Sequence, residues 1–124
     1  MTATTKSDPK VVLDGYLEAW NADDPGERAS LLEATVTDDV EFVDPTAHIT
    51  GRADLLQHIA ATRATYQGLQ FAPAGEPDAH NNFVRVAWEA RIGGRVVLRG
   101  IDVDELADDG RLSRIVGFFD RASE

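Results

Sequence analysis

Apolar residues follow helical spacing in the first half of the chain and alternate with polar residues in the second half. The first apolar stripe has the i, i+3, i+4, i+7 spacing of one helix face and consists of Leu13, Tyr16, Leu17 and Trp20. Ser7 or Asp8 can cap this helix, and Pro9 suits its first turn. The pattern therefore predicts a first helix that starts at Pro9.

Two further helices are predicted before the alternating region. Asp24, Pro25 and Glu27 have the order of a capping box with a proline in the first turn. The apolar positions of this second helix are Leu31, Leu32 and Val36. A third helix should run from about Ala53 to Gln67 and end at Gly68. Its inward side chains are expected to be Leu55, Leu56, Ile59 and Tyr66.

The rest of the chain is predicted to form strands. One strand, about Val40 to Val43, lies between the second and third helices. The stretch "LQFAPAGEP" is typical of an edge strand, since proline cannot donate to a ladder. In "NNFVRVAWEARI" the alternating apolar face consists of Val84, Val86, Trp88, Ala90 and Ile92. A Gly-Gly turn leads to the return strand "RVVLRGIDVDEL", and "LSRIVGFFD" is the last strand.

Helices followed by hairpin-linked strands predict an α+β fold. We expect three helices packed on one face of a curved antiparallel sheet, which forms a cone with a pocket for a small molecule. A chain of 124 residues suffices for one domain over residues 1–124, of which residues 1–8 are expected to be a flexible N-terminus.

The amino-acid composition limits which partners the protein can bind and where in the cell it is expected. The formal net charge of −10 disfavours nucleic acid and anionic membranes as partners, because both bind clustered Lys and Arg. Cysteine is absent, which excludes disulfides and thiolate chemistry. We see neither a secretory leader nor an apolar run long enough to span a membrane, and we expect a cytoplasmic protein.

An aspartate occupies an otherwise apolar face of the return strand. By alternation, Asp102 shares its face with Leu98, Gly100, Asp104 and Leu106, next to the face that contains Trp88. A charged, unpaired carboxylate there would cost several kcal/mol, so it should be neutral, hydrogen-bonded or functional. The alternative is that a bulge turns Asp102 toward solvent, or that it binds a backbone N–H.

A second aspartate, Asp44, ends the strand before the third helix. In "VEFVDPTAHITGR" the Asp44-Pro45 pair is either a simple strand stop or a carboxylate directed into a pocket. His48, four residues further on, is a candidate for the pocket rim. Five aromatic side chains are interpreted as core or pocket lining: Trp20, Phe42, Trp88, Phe118 and Phe119.

Metal and cofactor sites are not indicated. His48, His58 and His80 lack the spacing of metal ligands, and His80 is expected in a turn. No nucleotide-binding glycine motif and no GxSxG motif is present. We therefore predict no metal and no cofactor.

Taken together, these elements resemble the nuclear-transport-factor-2-like superfamily, which includes SnoaL-like polyketide cyclases, ketosteroid isomerases and limonene epoxide hydrolases. The resemblance covers roughly residues 11–120. It rests on "YLEAWNADD" in the first helix, "DDVEFVDP" at the first strand, "GRADLLQHI" at the third helix and "DDGRLSRIVGFF" in the last hairpin. It implies the helix-on-cone fold and a homodimer with the outer sheet face as interface.

The resemblance to ketosteroid isomerase extends to individual residues. It implies that Asp44 is a general base, and that Tyr16 and a neutral Asp102 form the oxyanion hole. It implies that Phe119 lines the pocket, as we also expect for Trp20, Phe42, His48 and Trp88. The implied ligand is an apolar or carbonyl-containing small molecule.

Three functions remain open from the sequence. The first is an isomerase, cyclase or lyase that transfers a proton next to a carbonyl. The second is a noncatalytic ligand-binding or assembly domain of the same fold. The third is an epoxide hydrolase, which would need an arginine between two carboxylates, whereas Arg99 and Asp102 have opposite strand parity. The apolar outer-face positions offered for a dimer are Val97, Ile101, Val103 and Val116.

Overall fold

The structure is a computed structural model that describes residues 8–120. Most of the predicted flexible N-terminus, and the alternative cap Ser7, therefore lie outside the described residues. Within residues 8–120, no helix is both long enough and apolar enough to cross a membrane.

The three predicted helices are present as α1 (Pro9–Asn21), α2 (Pro25–Thr35) and α3 (Arg52–Thr65). The carboxylate of Asp8 accepts a hydrogen bond from the backbone N–H of Lys10 at 3.0 Å, and that of Asp24 accepts from the N–H of Glu27 at 2.8 Å. Aspartates therefore cap α1 and α2 because they satisfy N–H groups that have no partner inside the helix.

Two helix predictions need correction at their C-terminal ends. Val36 does not belong to the second helix: it has an extended backbone and starts the first strand. Tyr66 does not belong to the third helix, because the helix ends at Thr65, and its side chain is partly exposed at the edge of the cavity described below. Both misassigned positions lie where a periodic pattern continues past the last helical turn.

Seven strands form a single sheet over the described residues. They are β1 (Val36–Asp44), β2 (Ala47–Thr50), β3 (Gln70–Pro73), β4 (Asp78–His80), β5 (Phe83–Ile92), β6 (Arg95–Leu106) and β7 (Leu112–Phe119). The order across the sheet is β2-β1-β7-β6-β5-β3, and β4 also pairs with β5. The α+β class, the three helices and the curved sheet are thus as predicted.

The sheet is mixed rather than wholly antiparallel. β1 and β7 run parallel, whereas every other pairing among the described strands is antiparallel. The predicted single strand between α2 and α3 is in fact a hairpin of β1 and β2, closed by Pro45 and Thr46. β2 was not predicted, because it is short and contains only one large apolar residue, Ile49.

The alternation predicted for β5 and β6 is confirmed for most positions. Val84, Val86, Trp88 and Ala90 are buried, and Ile101 and Val103 are exposed on the other face. Val97 differs from both groups: it is the extra residue at the register shift, and its side chain is 55% exposed but also contacts the cavity next to Leu98. The strand register shifts at this point, and a β-bulge breaks the two-residue alternation that placed Val97 outside.

Side chains of two helices hold the rim of the cone in place. The amide of Asn21 at the end of α1 donates to the Phe71 carbonyl at 2.9 Å and accepts from the Phe71 N–H at 2.7 Å. Arg63 of α3 donates to the carbonyl oxygens of Trp20 and Leu69. These bonds connect α1, α3 and β3 around one opening.

Candidate functional site

An open cavity of about 660 Å³ lies between the concave sheet face and helices α1 and α3. Its size is in the range of small-molecule sites. Almost all residues predicted for the site line it: Tyr16, Trp20, Phe42, Asp44, Trp88, Asp102 and Phe119. The aromatic side chains therefore surround a cavity rather than fill it.

Asp44 lies at the end of β1, where the β1–β2 turn fixes its carboxylate. Oδ1 accepts hydrogen bonds from the Thr46 N–H at 2.8 Å, the Thr46 hydroxyl at 2.7 Å and the Ala47 N–H at 3.0 Å. An aspartate commonly bonds the backbone two or three residues ahead in this way. Three donors on one oxygen suit an ionised carboxylate, which only accepts hydrogen bonds.

Asp102 lies in the middle of β6 and is held by a neighbouring tryptophan. The indole Nε1 of Trp88 donates to Asp102 Oδ1 at 2.9 Å. Burial raises the pKa of Asp102 to about 7, the Trp88 hydrogen bond opposes this increase, and the charge of Asp44 adds to it. Asp102 is therefore a candidate for a carboxylic acid that is neutral below pH 7 and can donate a hydrogen bond.

A glycine separates the two carboxylates on the cavity floor. Gly117 of β7 pairs with Asp102 on one side and follows the Val43–Val116 pair on the other side. A methyl group at Gly117 would lie 3.1 Å from Asp102 Oδ1 and 3.3 Å from the Cβ of Asp44. The absence of a side chain here leaves both carboxyl groups open to the same space.

Tyr16 extends from α1 into the site. Its side chain is 2% exposed and lines the cavity. Burial raises the pKa of the Tyr16 phenol well above its usual value, the charge of Asp102 raises it further, and the Trp20 indole opposes the change. The hydroxyl of Tyr16 thus keeps its proton and remains a hydrogen-bond donor at neutral pH.

A further aspartate near the site has no hydrogen-bond partner. Asp104 is 1% exposed, and neither of its carboxyl oxygens has a partner among the described residues. Burial raises the pKa of Asp104, and the charge of Asp102 raises it further. The nearby Val116 backbone N–H, which does not reach hydrogen-bond geometry, lowers this pKa only in part. Sequence alternation placed Asp104 on the inner face, but it did not indicate this depth of burial.

His48 and Phe118 are corrections to the predicted pocket. His48 is opposite Val43 in the β1–β2 hairpin and therefore lies on the outer sheet face, where its Nε2 is 2.8 Å from Glu41 Oε2. Phe118 is 57% exposed, because Phe119 takes the inner position and adjacent strand residues alternate. Neither side chain lines the cavity.

Apart from Tyr66, which was predicted to point inward, sequence reasoning missed the polar side chains that line the cavity from α3 and its C-terminal end. His58, Thr62, Thr65 and Tyr66 all line it. We call these four residues the α3 stripe. His58, Thr62 and Thr65 are four and three residues apart, which places them on one face of α3, and Tyr66 follows directly after the end of the helix. The spacing of the first three was visible in the sequence but was obscured by the apolar positions Leu55 and Ile59 beside it.

The arginine considered for epoxide hydrolysis does not reach this cavity. Arg99 is opposite Glu89 in the β5–β6 pair, on the face away from Asp102, so it cannot lie between two cavity carboxylates. Within residues 8–120, no cluster of three or more His, Asp or Glu side chains could hold a metal ion.

The chain matches a family model described as a SnoaL-like domain over residues 13–115. A protein of the SnoaL-like family from Agrobacterium tumefaciens, whose name proposes an isomerase, is 34% identical. Its structure has a TM-score of 0.85, and the match covers 90% of this chain and 96% of that one. No curated protein matches the chain in sequence.

Two less similar structures share the fold. One, from Sinorhizobium meliloti, is named as a proposed polyketide cyclase (17% identity, TM-score 0.69, 90% of this chain and 99% of that one). The other, from Jannaschia, is named as a proposed SnoaL-like polyketide cyclase (16% identity, TM-score 0.74, 99% and 93%). At these identities the likeness concerns the fold.

Proposed function

Because this chain belongs to the SnoaL-like domain family, we propose that it is a cofactor-independent isomerase or cyclase that moves a proton next to a carbonyl group. One observation supports this proposal above the others. Asp44, Asp102 and Tyr16 line the same cavity, and their surroundings differ in the way that proton transfer requires. A base needs its charge, whereas an oxyanion donor needs its proton.

The proposed reaction begins at Asp44. Its carboxylate removes a proton from the carbon next to the substrate carbonyl, and the C–H electron pair forms the enolate double bond. The carbonyl oxygen becomes negatively charged and accepts hydrogen bonds from the Tyr16 hydroxyl and from protonated Asp102. In an isomerase, Asp44 then returns the proton to a second carbon. In a cyclase, the enolate carbon attacks an electrophilic carbon of the same molecule, and the new oxyanion takes the proton from Asp44.

The dry surroundings of Asp102 are what suit it to the donor role. Trp88, Leu98 and Phe119 line the cavity around it and reduce its solvation. A hydrogen bond to a developing negative charge is worth more where water is excluded. Names of relatives agree with this chemistry, since one proposes an isomerase and two propose polyketide cyclases.

The test is deuterium exchange into ketones. The protein would be incubated in D₂O with cyclic ketones that have an acidic C–H next to the carbonyl, such as 2-tetralone, and label uptake would be followed by mass spectrometry. We expect exchange above the buffer rate, and a decrease of about 100- to 1,000-fold in Tyr16→Phe or in Asp102→Ala. Ketones that bind to the folded protein without any exchange would contradict the proposal and indicate a noncatalytic ligand-binding domain.

We also propose a homodimer that uses the outer face of the sheet. Ile101 is opposite Phe118 across β6 and β7, and Val103 is opposite Val116. Ile101 and Phe118 are 43% and 57% exposed. Apolar side chains on adjacent strands form a continuous surface, and a two-fold axis would bury it against its copy.

A further inference from the structure

The two oxygens of the Asp102 carboxyl group have different surroundings. Oδ1 accepts the hydrogen bond from the Trp88 indole at 2.9 Å. The same oxygen lies against β7, where a methyl group at Gly117 would be 3.1 Å away from it. Among residues 8–120, no hydrogen-bond donor reaches Oδ2, and in contrast to both oxygens of Asp104 it is not completely enclosed. Oδ2 is therefore the oxygen that a ligand or a water molecule can reach.

The Trp88 indole is held in place by packing. Its ring makes edge-to-face contacts with Phe71 and Phe119, with centroid separations of 5.7 Å and 6.0 Å. Gly100 is opposite Trp88 in the β5–β6 pair, and a side chain there would collide with the indole. An indole N–H can donate a hydrogen bond but cannot accept one. The direction of this donor is thus set by its neighbours and not by the carboxyl group that accepts from it.

A fixed donor on one oxygen decides which oxygen carries the proton of the neutral acid. A protonated carboxyl group has one O–H oxygen and one carbonyl oxygen, and the carbonyl oxygen is the better acceptor. A proton on Oδ2 leaves Oδ1 as the carbonyl oxygen, which keeps the hydrogen bond from Trp88. A proton on Oδ1 would weaken this bond. The proton therefore resides on the accessible oxygen, Oδ2.

The same hydrogen bond also limits how tightly Asp102 holds its proton. A charged acceptor forms a stronger hydrogen bond than a neutral one, so the indole N–H favours the ionised carboxylate. Burial raises the pKa of Asp102 to about 7, and the Trp88 hydrogen bond acts against this increase. Without the N–H, the acid would ionise only at a higher pH.

Other ionisable groups lie around Asp102. The charge of Asp44 raises the pKa of Asp102, as burial does. The remaining groups share a cavity wall or the β6 strand with it: Tyr16, Lys10 and Asp14 from α1, His58 from α3, Tyr66 after α3, and Asp104 from β6. Within the described part of the chain, Trp88 is nevertheless the only hydrogen-bond donor to the Asp102 carboxyl group.

We propose that Trp88 is a positioning residue of this site: its indole N–H holds Oδ1 of Asp102 as an acceptor and so keeps the acid proton on Oδ2, where it can be donated to a ligand. The proposal rests on the proposed function for the use of this proton, because the ligand atom that accepts it is the enolate oxygen of that reaction. The pairing of Trp88 with Asp102 can be measured without any reaction.

The pairing is tested by NMR on wild-type protein with ¹⁵N in the indole ring of tryptophan. The chain has two tryptophans, so two indole N–H signals are expected, and Trp20→Phe identifies the signal of Trp88. We expect this signal to move downfield with a midpoint near pH 7 as Asp102 loses its proton, and to stay in place in Asp102→Asn. A Trp88 signal that does not follow pH, or that moves equally in Asp102→Asn, would overturn the proposal.

The effect on the acid is tested with Trp88→Phe, which keeps an aromatic ring but has no N–H. The ¹³C signal of the Asp102 carboxyl carbon should titrate about one pH unit higher than in the wild type. Deuterium exchange into 2-tetralone should remain active to a correspondingly higher pH, but with a maximal rate about 3- to 10-fold lower and little change in KM, because the carboxyl group is no longer held. Loosened packing alone would admit water and lower the pKa of Asp102, which is the opposite direction.

Phe71→Leu is the matched control, since it loosens the packing of the indole without removing its N–H, and it should not raise the pKa of Asp102. A pKa of Asp102 that is unchanged or lowered in Trp88→Phe would overturn the proposal, and exchange into 2-tetralone by the wild type would then leave the proposed function in place. If the wild type exchanges no ketone, the proposed function fails, and the two NMR titrations still decide whether Trp88 controls the proton of Asp102.

Discussion

Asp102 and Asp104 are two residues apart on one face of β6 but differ in what surrounds them. Asp102 reaches the cavity and accepts a hydrogen bond from Trp88. Asp104 lies in the core without a hydrogen-bond partner among the described residues. A buried carboxyl group without a partner is tolerated only in its neutral form. Both aspartates thus bind a proton more tightly in the folded protein than in the unfolded chain.

The stability of the protein should therefore depend on pH through Asp104. An unfolded aspartate has a pKa of about 3.9, and the folded pKa of Asp104 is raised. Between these two values the folded protein holds a proton that the unfolded chain has lost, so the free energy of unfolding falls as pH rises. Asp104→Asn has no proton to lose at this position, so its free energy of unfolding does not fall for this reason. Its stability relative to the wild type should increase by about 1.4 kcal/mol per pH unit above pH ~4.

The measurement is urea unfolding of both proteins from pH 4 to pH 8. Asp102 contributes a decrease of its own in both proteins, which ends near its pKa of about 7. This contribution cancels in the comparison below pH 7, where folded Asp102 keeps its proton and does not add charge beside residue 104. Asp108→Asn, at an exposed turn, shows the effect of losing one surface charge. A stability difference between Asp104→Asn and wild type that stays constant across this range would contradict the buried neutral assignment.

At the scale of elements, the pairing of β5 with β6 positions the Asp102 carboxyl group, and Gly100 makes this pairing possible. Trp88 is opposite Gly100, and its indole lies over that residue while Nε1 reaches Asp102 two positions along β6. A methyl group at Gly100 would lie 2.3 Å from Trp88 Cζ2 and 2.5 Å from the Phe118 carbonyl oxygen. The hairpin has room for the indole only because residue 100 has no side chain.

Gly100→Ala should consequently destabilise the protein and displace Trp88. The backbone oxygen cannot rotate away, so we expect a loss of about 1–3 kcal/mol, together with a change in tryptophan fluorescence as the hydrogen bond to Asp102 lengthens. Trp88→Phe removes the indole N–H without crowding the strand and separates the two effects. Wild-type stability and fluorescence in Gly100→Ala would show that Trp88 is not packed on Gly100.

Sequence patterns predicted those elements whose signals are local. The caps at Asp8 and Asp24 and the Gly-Gly turn between β5 and β6 lie within a few residues of what they determine. The parallel pairing of β1 with β7 joins distant segments, and no local pattern encodes it. The bulge at Val97 arises from the strand pairing itself, and alternation along one strand does not encode it.

For the candidate site, too, the sequence identified individual residues but not their arrangement in space. Asp44, Asp102 and Tyr16 were identified from their order and from the resemblance, and the structure places all of them on one cavity. Their catalytic roles stay a proposal. His48 was assigned to the rim because it follows Asp44 closely, but the tight β1–β2 turn reverses the chain and puts its side chain outside. The α3 stripe could not be predicted without knowing which side of α3 faces the cavity.

At the scale of the whole molecule, the two faces of the sheet present different surfaces. The concave face lines the cavity, and the outer face has exposed apolar residues on β6 and β7. A face of this kind on an otherwise strongly acidic protein is suited to association with a second copy.

Ile101→Arg should convert the proposed dimer into a monomer. It would place two like charges near the two-fold axis, where they have no solvent and no partner. Light scattering coupled to gel filtration gives the mass directly. Val11→Arg is the control, because Val11 is an exposed apolar residue on α1, away from the sheet. A wild-type protein that elutes as a monomer, or an Ile101→Arg variant that stays dimeric, would contradict the outer-face interface.

If Asp44 is the base that moves the proton, the rate at which an exchange-active ketone takes up deuterium must depend on its carboxylate, and this rate is measured most directly with Asp44→Asn. Glu41→Gln is the matched control: it removes one carboxylate from the same strand but on the outer face, beside His48 and Arg114. We predict that Asp44→Asn loses about 100- to 10,000-fold in rate while it still binds the ketone, and that Glu41→Gln exchanges at the wild-type rate. An Asp44→Asn protein that exchanges as fast as the wild type would contradict it.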